Sequence, residues 1–260
     1  MRPFSACALA IAAFAMTGAM STSVLAQAPA QRQQQAPAPA PAKPYKPVTV
    51  TLAAPMSDPT YEAFRKQLDA AAQKKDRAAL TKLVVAQGFF WEGASGDKAD
   101  KKKPGIDNLA AAIGLDGKDA NGWDALSGYA ADPTASPLPE HQGVMCSPAD
   151  PSFDDKALDE LTKATQTDPS EWGYTMANGV EVHATAQPNS PVVEKLGIQL
   201  VRVIPDTAAA GPAQTLRVVA PSGKVGFIPS DSVSPLGNDQ LCFIKDASGW
   251  KIAGFIGGEQ

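Results

Sequence analysis

Apolar positions recur along this chain with two different periods, and the change falls near Pro169. Before it, Tyr61, Phe64, Leu68, Ala71 and Ala72 follow at helical spacing. This predicts an amphipathic helix capped by Ser57 or Asp58 with Pro59 in its first turn. Asp76 is placed to cap a second helix carrying Leu80, Leu83 and Val84, after which Gly88 gives way to Phe89, Phe90 and Trp91, an aromatic run suited to a buried strand or turn. Short helices are expected over residues 107–113 and 122–129, interrupted by Gly114, Gly117 and Gly122. A strand over 143–146 and an aspartate-capped helix over 154–164 complete this half, which is expected to open with a strand at 48–52.

Beyond Pro169 the period becomes two. Val180, Val182 and Ala184 alternate with Glu181, His183 and Thr185, while Val201 and Val203 flank Arg202, and Leu216 and Val218 flank Arg217. Turn residues at 187–191, 205–212, 221–223 and 248–249 separate these short half-buried strands at the spacing of a small β-barrel. The last apolar runs, LCFIKD and WKIAGFIG, form an added hairpin. The fold class expected is therefore α+β, with a mainly helical part over 48–168 and a small all-β barrel with an added C-terminal hairpin over 169–260.

The N-terminus changes the picture of where the chain works. Arg2 precedes an apolar, alanine-rich run, and Val24-Leu25-Ala26 fits signal-peptidase cleavage after Ala26, with Ala28 as a second position. Residues 1–26 read as an export signal that takes Cys7 with it, giving a periplasmic or secreted protein without a transmembrane segment. Residues 27–47, rich in proline, alanine and glutamine, form an extended linker that spans up to about 65 Å. With 23 basic and 27 acidic residues the chain is mildly acidic, which argues against a nucleic-acid partner.

Two stretches of the β half resemble the bacterial SH3-like (SH3b) domain family. Residues 172–197, WGYTMANGVEVHATAQPNSPVVEKLG, are similar to its opening strand, its long proline-containing loop and the short strand that follows. Residues 222–233, SGKVGFIPSDSV, are similar to its final turn, aromatic strand and closing turn. In this reading Gly223 permits the turn, Gly226 lets backbones approach and Phe227 offers a ring to the barrel. The chain departs from the family at His183, where arginine is usual, and at Thr215 and Leu216, where a tryptophan precedes the penultimate strand. The resemblance implies a noncatalytic module that binds a cell-wall polymer, such as peptidoglycan or its peptides, or an envelope protein. Trp172, Tyr174, His183, Asn189 and Phe227 are its candidate contacts.

Other chemistry is sparse. An exported chain that retains only Cys146 and Cys242 is expected to pair them as a disulfide. The alternative is a peptidoglycan-peptide hydrolase with Cys146 as nucleophile and His141 as base, in the run EHQGVMC. Neither H-x-x-H nor C-x-x-C spacing is present, so no metal site is expected. No cofactor is expected either. Asp154-Asp155 and Asp159-Glu160 suit a helix start and a solvated helical face, and the glycine- and acid-rich run over 114–122 lacks the ligand spacing of a calcium loop.

Overall fold

Helix α1 (Pro59–Gln73) begins where Asp58, in extended backbone, accepts a hydrogen bond from the Thr60 amide, and it buries Tyr61, Phe64, Leu68, Ala71 and Ala72. The computed structural model describes residues 42–118, 121–187, 189–204 and 215–257. The stretch read as an export signal, with Cys7, the linker expected before Ala42 and the turn expected over 205–212 lie outside these residues. Asp76 caps α2 (Arg77–Leu83) by accepting from the Ala79 amide, as its place before the apolar run predicts. Strands β1 (Phe90–Gly93) and β2 (Gly96–Asp97), helices α3 (Gly105–Ile113) and α4 (Asn121–Ala131), strands β3 (Ser136–Pro137) and β4 (Val144–Ser147), and helix α5 (Asp155–Thr165) follow.

The period-two half forms β5 (Trp172–Thr175), β6 (Val180–His183), β7 (Val192–Leu196), β8 (Leu200–Ile204), β9 (Thr215–Val219), β10 (Val225–Pro229) and β11 (Val233–Pro235), with one 3-10 turn, Ser230–Ser232, between the last two. These seven strands make one sheet in the order β11-β5-β8-β9-β10-β6-β7, antiparallel throughout. Val180, Val182, Val201, Val218 and Ile228 cluster on its inner face. The fold is thus α+β, with five helices and two sheets among the described residues, and the second sheet does not close into a barrel.

The terminal hairpin, β12 (Gln240–Asp246) and β13 (Gly249–Ile256), joins the other sheet, whose order is β2-β1-β13-β12-β4-β3. Its placement follows from its composition. Leu241, Phe243, Ile252 and Phe255 pack against Tyr61, Phe64, Leu80, Leu109 and Leu126 of the helical layer, while Cys242 and Ala253 face Phe90, Val144 and Cys146. A hairpin apolar on both faces needs cover on both, and a central position in a sheet supplies it. The pairing of β13 with β1 is parallel, and the other pairings in this sheet are antiparallel.

Cys146 and Cys242 stand directly opposite each other on β4 and β12 and form the expected disulfide, with an S–S distance of 2.03 Å. It closes a loop of 96 residues. In the chain-entropy account such a closure is worth about 4–5 kcal/mol. Beside it, Phe90 lies across Gly254, where an added Cβ would meet the ring at 2.3 Å.

Residues 48–52 are extended but form single bridges, Thr49 to Gln199 and Thr51 to Ser152, because the segment bonds alternately to two different neighbours. Just before it, the end of the proline-rich stretch is docked. Tyr45 meets Trp172 edge-on at 5.0 Å and donates its hydroxyl to the Val219 carbonyl at 2.8 Å. Among the described residues no helix is long and apolar enough to cross a membrane.

Two outcomes test this packing. Gly254→Ala should cost about 1–3 kcal/mol in urea unfolding, and combining it with Phe90→Leu should recover part of the loss. Hydrogen bonds from Thr60 to Asp58, Ser170 to Asp168 and Ser248 to Asp246 hold these carboxyls below the usual aspartate range. The unfolded chain then binds more protons in acid, so the stability these groups add is present above about pH 4 and is lost as pH falls further. Asp58→Asn, which keeps a capping oxygen but cannot titrate, should flatten the acid limb of the stability–pH curve.

Candidate binding surface

The five candidate contacts separate into two groups. Trp172 is 2% exposed, its indole nitrogen donates to Thr167 Oγ1 at 2.8 Å, and its ring is covered by Tyr45. Tyr174 is buried in the same cluster, with Val48, Val50, Leu161 and Leu200. Both rings fasten the docked segment and α5 to the second sheet, so they form a joint rather than a surface.

The other three lie together at the far side of the sheet. Alternation along β10 is set by Gly226 and Ile228, which point inward. A Cβ at Gly226 would stand 2.6 Å from the His183 carbonyl, so glycine lets β10 lie close against β6, as expected. Gly223 has a φ of 82°, as its turn requires. Phe227 consequently faces away from the inner cluster and is half-buried on the outer face, directly opposite His183 on one side and Arg217 on the other. The row continues to Ile204 on β8 and, past His183, to Val192, which is 43% exposed.

His183 is held by its backbone turn. Its Nδ1–H donates to the Ser190 carbonyl at 2.9 Å, because a carbonyl can only accept, and this directs Nε2 toward Glu181 Oε2 at 3.8 Å. Glu181 also pairs with Lys195 at 2.7 Å, and these contacts lower its carboxyl pKa, the Lys195 hydrogen bond most. Asn189 sits exposed at the tip of the same turn in left-handed backbone, with φ 64°. Ser190 ties the turn down by accepting from the Thr185 amide.

Arg217 is the residue of this row that pattern reading passed over. Its outward direction was visible in the Leu216-Arg217-Val218 alternation. Its surroundings were not, because they depend on the strands brought to either side. The guanidinium Nε is buried and has no hydrogen-bond partner.

The residues of the hydrolase alternative are engaged elsewhere. His141 is stacked on Phe90 with ring centres 4.1 Å apart, and its Nε2 lies 2.7 Å from Glu92 Oε1. The Cys146 sulfur is bonded to Cys242. A separate open cleft of about 500 Å³ is lined by Tyr129, Asp132, Pro148, Asn238 and Asp239. Burial, with the Asp239 charge adding to it, raises the Tyr129 phenol, and Asp132 is occupied by the Thr134 amide and hydroxyl. No group of three or more metal-ligating side chains stands together among the described residues.

No family model, curated protein or solved structure matches the chain.

The two groups of aromatics should respond differently to truncation. Trp172→Ala should lower the unfolding free energy by about 3–5 kcal/mol, since it removes a buried ring from a joint of three segments. Phe227→Ala should change it by no more than about 1 kcal/mol. Thermal and urea unfolding of the two variants measure this contrast.

Proposed function

We propose that this is an exported, noncatalytic envelope protein whose second sheet is an SH3-like module that binds peptidoglycan or its peptides. The strand order and the one-turn helix between β10 and β11 support the SH3-like reading, together with the sequence likeness at both ends of the sheet. The observation that carries the binding reading is the outer row Val192, His183, Phe227 and Arg217. A half-exposed aromatic ring lies there between an imidazole and a guanidinium on regular strands, away from the core. Aromatic and arginine side chains on a rigid platform are the groups that most often anchor a ligand. The hydrolase alternative is less well supported, because a disulfide sulfur has no thiolate to attack with.

Sedimentation with insoluble peptidoglycan tests the proposal. The chain lacking residues 1–26 should be retained, and Phe227→Ala should weaken retention about tenfold while leaving unfolding nearly unchanged. If the parent chain stays in the supernatant, the binding reading is lost. Peptide release that depends on Cys146 would favour the hydrolase instead.

A further inference from the structure

We infer that Arg217 is a receptor for a ligand carboxylate, so that the outer row takes the carboxylate end of a short peptide. The inference rests on the peptide-binding reading above and names the group that reading leaves open.

The described chain contains four arginines, and three have partners. Arg65 donates to the Ala130 and Ala131 carbonyls, Arg77 bridges Asp107 and Asp116, and Arg202 makes two bonds to Glu171. The Arg217 side chain makes no hydrogen bond and no ion pair among the described residues, although the chain carries 27 acidic side chains against 23 basic ones. It is also half-buried, between Ile204 and Phe227 in the register of the sheet. A guanidinium that has lost part of its hydration without gaining an acceptor is costly. Its planar fork matches a carboxylate in shape and charge, and a ligand carboxylate would supply the missing acceptor.

The rest of the row sets the direction. Phe227 offers an apolar surface beside the guanidinium. At the opposite end, Glu181 stands 3.8 Å from His183 and is already paired with Lys195 at 2.7 Å, so that end offers a closed ion pair rather than an unpartnered cation, and the two ends are electrostatically unlike. Arg217 and His183 are separated by two strand spacings, roughly 10 Å, which an extended peptide of about three residues covers. The carboxylate therefore lies on Arg217, an aliphatic side chain on Phe227, and the chain leads toward His183.

The test uses the chain lacking residues 1–26, with N-acetyl-Ala-Ala-Ala as free acid and as C-terminal amide, followed by amide chemical shifts. The acid should give saturable shifts centred on Arg217 and Phe227, and the amide should bind about tenfold more weakly. Arg217→Gln should erase the preference for the acid, and Arg217→Lys should keep part of it, with native spectra confirming that both variants fold. Equal binding of acid and amide, or a preference that survives in Arg217→Gln, overturns the inference. Retention on peptidoglycan with no response to either tripeptide overturns it while leaving the proposed function standing. Acid binding through Arg217 without retention on peptidoglycan does the reverse.

Discussion

Strands β12 and β13 have no solvent-facing side to offer along their central residues, and the architecture is arranged around covering them. Leu241, Phe243, Ile252 and Phe255 complete the core beneath α1, α3 and α4, and without them those helices would have no floor. On the reverse face, Cys242 and Ala253 are closed over by β1 and β4. The Cys146–Cys242 bond lies in this seam, so the covalent link holds the hairpin from the face opposite the helical core. Lys245 adds a smaller tie at the edge by pairing with the N-cap Asp58 at 2.9 Å, joining the start of α1 to the end of β12.

This return of the chain makes the seven-stranded sheet an insertion, held where it leaves the first sheet and where it comes back. Residues 42–52 add another hold. They place Tyr45 on Trp172, and Val48 and Val50 beside Leu161 and Leu200. The buried aromatics of β5 therefore belong to the attachment, and the half-exposed Phe227 on β10 belongs to the free side. That division of labour leaves the His183, Phe227 and Arg217 row on strands whose positions are fixed by packing elsewhere.

How much could be read in the sequence depended on range. Asp58, Asp76 and Asp154 announce their helices because capping is settled within three residues, and each side chain takes the expected amide. The disulfide was legible because reading residues 1–26 as an export signal leaves only two cysteines to pair. The hairpin itself was visible, but its neighbours were not, since pairing Phe90 with Gly254 is a choice among distant strands that local pattern does not encode. Phe227 shows the limit on a smaller scale. Val225, Phe227 and Ile228 are all apolar, and it is the close approach at Gly226 and the burial of Ile228 that turn the ring outward. Arg217 shows it again, because lacking a partner is a property of the assembled sheet.

The parallel pairing of β13 with β1 also imposes an order on folding. A chain that has reached α5 already contains β1 and β4, yet the two strands that belong between them come only after the seven strands of the second sheet. The first sheet stays unfinished, and its helices uncovered, until the chain has passed through the second sheet and returned. The helical half therefore cannot close its core as a local event: its last layer waits on contacts of long sequence separation, made across an intervening sheet.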